Sequence, residues 1–89
     1  MAVKQVWNDE EIFGVELTGS GWGVVYAFPI KELANGASLA RMMNTKVRNT
    51  VKTSGWSVPE EELRAVAKEG VAALREVIEP YFEARGGGQ

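Results

Sequence analysis

Cysteine and histidine are both absent from the 89 residues of this chain. Without cysteine there is no disulfide and no thiolate nucleophile. Without histidine the commonest general base and a principal zinc ligand are gone as well. Any catalytic set would have to come from carboxylates, lysine, tyrosine or serine alone. Carboxylates do cluster, at Asp9-Glu10-Glu11 and at Glu60-Glu61-Glu62. The first run sits in a predicted turn. The second opens a predicted helix, where acids meet the positive end of the dipole. Neither sets two carboxyls across a dry cleft with divergent pKa values, which acid–base chemistry needs. The expectation is a protein that is not an enzyme and uses no metal and no cofactor.

Long hydrophobic runs are missing too. The longest apolar stretch, Val24 to Ile30, falls far short of the roughly 20 residues that cross a bilayer. Met1-Ala2-Val3-Lys4 does not start a secretory signal. Together with the lack of cysteine, this sets the expectation of a cytoplasmic protein with no membrane contact.

Apolar residues make up 45% of the chain and charged residues 25%, a composition that suits a globular protein and not a disordered one. The length allows one domain, which we place at residues 1–85. Gly86-Gly87-Gly88-Gln89 is predicted to be a flexible tail.

Two runs alternate with the period of half-buried strands. In the first, Phe13, Val15 and Leu17 share one face. In the second, Trp22, Val24, Tyr26 and Phe28 share one face, and Gly23, Val25 and Ala27 the other. Gly19-Ser20-Gly21 between them predicts a β-hairpin. The same glycines look superficially like a phosphate loop, but such loops lead from a strand into a helix, and this one joins two strands. Ala2 to Trp7 is a further strand, with Val3, Gln5 and Trp7 on one face. Pro29 closes the second hairpin strand, because it has no N–H to give to a ladder.

Residues 30–37 hold a short turn or helical segment, broken at Asn35-Gly36. Ser38 then caps a helix over 38–53, with Leu39, Met42, Met43, Val47 and Val51 on one face and Gly55 at its end. A second helix follows. Ser57, Pro59 and Glu60 form a capping box, and Pro80 is predicted to end or kink it. The fold class is α+β: a β-hairpin or three-stranded antiparallel sheet followed by two helices packed on one face. The predicted core draws on Val15, Leu17, Val24, Tyr26, Leu39, Met43, Val47, Leu63, Val66, Leu74 and Ile78.

The net charge of −2 hides an uneven distribution. Residues 37–59 carry Arg41, Lys46, Arg48 and Lys52 and no acid, between two acidic ends. Arg41, Arg48 and Lys52 fall in a narrow stripe of the first long helix, with Lys46 nearer its apolar edge. Such a stripe can track phosphates, and Trp56 just beyond it can stack on a base. The plainer alternative is a solvated helix face. In the second helix Glu69, Glu76 and Glu83 recur at seven-residue spacing with Ala65 and Ala72 between them, an acidic face able to meet a basic one.

Two helices can cover one face of a small sheet, but not both. The Gly23-Val25-Ala27 face, or an open edge strand, is therefore left to a partner or a second copy. The leading expectation is a small non-catalytic protein that binds another protein or itself as a homo-oligomer, as a regulator, inhibitor or assembly factor of a microbe or its phage. The alternative is a nucleic-acid-binding module using Arg41, Lys46, Arg48, Lys52 and Trp56. A third is a small-ligand pocket lined by Trp7, Trp22 and Tyr26.

Overall fold

A computed structural model describes residues 2–9 and 11–84, so the expected tail at 86–89 lies outside the described residues. Three strands, β1 (Val3–Asn8), β2 (Ile12–Gly19) and β3 (Trp22–Pro29), form an antiparallel sheet in the order β1-β2-β3. They are followed by a single helical turn, α1 (Ile30–Ala34), and by two long helices, α2 (Leu39–Ser54) and α3 (Glu60–Ala84). Helix α3 packs against β1 and β2 and against α2. This is the expected α+β architecture.

The turns are built from local chemistry. The carboxylate of Asp9 accepts the N–H groups of Glu11 (2.8 Å) and Ile12 (2.9 Å). These two bonds hold its pKa below the ordinary aspartate value and fix the turn between β1 and β2. Helix α2 starts where Ser38 Oγ accepts the Arg41 N–H, an N-cap bond. It ends in a Schellman motif: Gly55 takes φ 72°, its N–H reaches the Lys52 carbonyl, and the Trp56 N–H reaches the Val51 carbonyl.

Three details differ from the sequence-based expectation. The register of β1 slips between Val3 and Gln5, so Val3 pairs with Leu17 while Gln5 pairs with Glu16. The bulge turns Val3 and Val6 toward the helices and leaves Gln5 and Trp7 on the other face. It inserts a residue, so strict alternation no longer holds. Second, α3 begins at Glu60, and the Pro59 carbonyl accepts the N–H groups of Glu62 and Leu63. A cap at Ser57 would require helical geometry at Val58, which the following proline disfavours. Third, α3 continues through Pro80 to Ala84.

The core lies between the sheet and the helices. Phe13, Val15, Leu17 and Phe28 of the sheet are buried there with Leu39, Met43 and Val47 of α2 and Leu63, Val66 and Leu74 of α3. Val24, Tyr26 and Ile78, expected in the core, pack at its margin. Phe13 and Phe28, which the predicted core omits, are fully buried. Phe13 meets the edges of Tyr81 and Phe82, with ring centres 5.2 and 6.5 Å away. No helix among the described residues is long and apolar enough to cross a membrane.

Candidate functional site

The basic helix is largely engaged within the fold. Arg48 grips Glu60 with both guanidinium nitrogens, at 2.8 and 2.6 Å. Arg64 reaches the same carboxylate at 3.3 Å. The Arg48 bonds, with its charge and that of Arg64 beside it, lower the Glu60 pKa to about 2. The same bond raises that of Arg48. Lys46 turns the other way, toward β3. Its Nζ lies 5.5 Å from the Phe28 ring centre and 6.0 Å from that of Tyr26, within cation–π range. Lys52 sits in the last turn of α2, at the negative end of its dipole. Arg41 is exposed in the first turn. The four cations therefore point to different surroundings rather than along one phosphate track.

Trp56 also has a place in the fold. The Schellman motif carries it to Trp22, with ring centres 6.0 Å apart, though it remains 39% exposed. The Trp22 indole lies over Gly19, in the space a side chain there would need. Its Nε1 donates to Glu62 Oε2 at 2.6 Å, and the same oxygen accepts the Ser20 N–H at 2.7 Å. Glu62 thus clips the β2–β3 hairpin to the start of α3, and these bonds, the Ser20 N–H first, lower its pKa. At the other end of β3, the Tyr26 hydroxyl donates to Thr50 Oγ1 at 2.7 Å, which donates to the Lys46 carbonyl at 2.8 Å. Partial burial raises the Tyr26 pKa. Trp7 lies on the opposite face of the sheet from Trp22 and Tyr26, so no pocket is lined by all three.

A charged groove that the sequence reading overlooked runs between α2 and α3. It has a volume of about 370 Å³, with Ala40, Ala67 and Val71 among its lining and Arg64, Lys68 and Arg75 along it. The signal was available in the spacing of those three cations, which places them on one flank of α3. The opposite flank carries Glu69 and Glu76 beside Val3 and Val6 of β1, and Glu69 accepts the Ala2 N–H at 3.1 Å. Glu69 and Glu76, two of the predicted acidic stripe, thus face a shallow groove along the sheet.

The side of the sheet away from the helices carries an apolar stripe. Trp7 lies flat across Gly14, whose missing side chain makes room for it. Gly14 pairs with Ala27, and Glu16 pairs with Val25. Val25 is 60% exposed and Ala27 is exposed beside it. Toward β1 the same face turns polar, where Glu16 accepts from Gln5 and lies 3.8 Å from Lys4.

Comparison with protein-family models, with curated proteins and with solved structures finds no match to this chain. The functional reading therefore rests on geometry alone. Among the described residues no group of acids, histidines or cysteines could hold a metal ion.

The two edges of the sheet are unlike. Strand β1 carries Lys4 and is interrupted by its bulge, both familiar ways of blunting an edge. Strand β3 pairs without a register shift from Trp22 to Pro29 and contains no charged side chain. Its backbone directions follow from the hairpin. Gly19 and Trp22 close a two-residue turn, so that pair exchanges backbone bonds, and every second pair after it does the same. The bond from the Ile30 N–H to the Glu11 carbonyl, at 2.9 Å, continues that series beyond the strand. Gly23, Val25 and Ala27 therefore aim their N–H and C=O groups away from β2. None of these groups meets another backbone or side chain among the described residues.

Proposed function

We propose that this chain works without catalysis, by binding another protein, and that it takes an extended segment of its partner as an added strand along β3. The observation that carries the reading is the row of outward N–H and C=O groups at Gly23, Val25 and Ala27 on a regular, uncharged edge. Strand addition satisfies such groups while side-chain contacts select the partner. Val25, Ala27 and Trp7 offer an apolar floor for those contacts on the outer face. A regulator, inhibitor or assembly factor would use such a surface.

The second reading, nucleic-acid binding, draws on the cations of the α2–α3 groove. The Glu60 carboxylate sits between Arg48 and Arg64 and neutralises one end of it, which is why the sheet edge is preferred.

One titration tests both. The probe is a synthetic peptide copying Trp22–Pro29 with a solubilising lysine at each end, added to isotope-labelled protein while backbone amide shifts are followed. The expected result is saturable shifts at Gly23, Val25 and Ala27, with α2 and α3 unchanged. No shift at millimolar peptide in a chain that sediments as a monomer would refute strand addition. Shifts at Arg64, Lys68 and Arg75 on adding a short mixed-sequence duplex, lost at high salt, would move the function to the groove.

A further inference from the structure

We infer that the strand taken up by β3 is β3 of a second copy of this chain, giving a two-fold dimer whose single sheet carries three strands from each copy. The inference rests on the reading of β3 as a binding edge and adds the identity of the partner and the register.

The register follows from the outward groups. Antiparallel pairing of β3 with its own copy can place a two-fold axis at several positions. With Val25 on the axis, Val25 lies opposite Val25 of the second copy, and Gly23 lies opposite Ala27. Each of these pairs exchanges two backbone bonds, so every outward N–H and C=O of the three residues finds a partner. Moving the axis to Tyr26 brings Pro29 opposite Gly23, and proline has no N–H to give. Moving it to Val24 brings the turn residue Gly21 opposite Ala27. Only the arrangement centred on Val25 uses the whole set.

The side chains suit self-pairing. No residue of Trp22–Pro29 is charged, so the strand meets no like charge when it faces itself. A charge on the axis would face its own equivalent, and none stands there. On the outer face the exposed Val25 meets its equivalent, and the small Gly23 and Ala27 oppose each other. On the inner face Trp22 falls opposite Phe28 and Val24 opposite Tyr26. The half-buried Trp22, Val24 and Tyr26 thereby gain cover where the monomer ends. The apolar stripe from Trp7 through Gly14 and Ala27 would then continue into the second copy.

The test uses Val25→Lys and Val25→Glu, both at a position 60% exposed on the outer face, with folding checked by circular dichroism. Sedimentation equilibrium of the wild-type chain at micromolar concentration is expected to give the mass of a dimer. Each variant alone is expected to give half that mass, because like charges then face each other on the axis. An equimolar mixture of the two variants is expected to return to the dimer mass, with lysine opposite glutamate. A dimer that persists in either variant, or a mixture that stays monomeric, would overturn the inference. If either charge variant unfolds, Val25→Cys serves instead. The chain has no other cysteine, and hydrogen-bonded antiparallel partners sit about 5.5 Å apart at Cα, within disulfide reach. Mild oxidation is then expected to cross-link Val25→Cys and to leave Asn49→Cys, on the exposed side of α2, uncross-linked. The reverse pattern would refute the register. A wild-type monomer whose Gly23, Val25 and Ala27 amides still shift with the β3 peptide would end the second-copy inference and leave the protein-binding reading standing. A monomer that also ignores the peptide would end both.

Discussion

Phe13→Ala is expected to remove about 3–5 kcal/mol of folding stability. Phe13 sits on the central strand with no exposed surface. Its ring packs against Tyr81 and Phe82 near the C-terminal end of α3, and those two rings also meet each other. Truncation removes the transfer free energy of the ring and leaves a cavity that the central strand cannot close. The two edge-to-face contacts, each worth about 0.5–1.5 kcal/mol, go with it. A domain of this size has only about 4–13 kcal/mol in total, so the variant should be partly unfolded at physiological temperature. Urea denaturation followed by tryptophan fluorescence measures the loss. A change below about 1 kcal/mol would mean that the last turns of α3 do not rest on the sheet as described.

The second large effect concerns the crossing of α3 over the sheet. Gly70 leaves little room where α3 passes the core: a Cβ built there would lie 3.0 Å from Met43 Cε and 3.1 Å from Leu17 Cδ2. Both neighbours are fully buried, so each can yield only by disturbing the core. Gly70→Ala adds one methyl against the ends of two flexible side chains. It also gains about 1 kcal/mol of helix propensity, so its net effect should stay within about 1 kcal/mol. Gly70→Val adds branches that the gap cannot hold. Overpacking of this kind costs about 1–3 kcal/mol, and the upper end is expected because the obstruction comes from two sides. Thermal unfolding of the pair of variants gives the test. Equal midpoints for alanine and valine would show that α3 stands further from β2 than the structure places it.

Some of this architecture was legible in the residue order and some was not, for identifiable reasons. The β2–β3 hairpin was readable because its alternation is unbroken and small residues mark the turn. The burial of one face and exposure of the other followed from counting what two helices can cover. The bulge in β1 left no local mark, since an inserted residue shows only against the strand it pairs with. The start of α3 was misplaced because Ser57 satisfies the spacing of a capping box, while the restriction that Pro59 imposes on Val58 outweighs it. The cations of α2 stand in the sequence at helical spacing. What could not be seen was that Glu60, twelve residues beyond Arg48, comes back across the helix pair and takes up its guanidinium. Lys46 likewise depends on Phe28 and Tyr26 from another element. An open edge was foreseeable in general. Which edge, and which of its residues face outward, required the register of the hairpin.

Strand β3 is the centre of the account, and hydrogen exchange at its backbone reports on it most directly. The amides of Gly23 and Ala27 point outward in the isolated chain, so their exchange depends on what lies beside them. The account predicts slow exchange at both in the wild-type protein and fast exchange at both in the monomeric Val25→Lys variant, with the Val24 and Tyr26 amides slow throughout. Fast exchange in both proteins, unaltered by the β3 peptide, would contradict it.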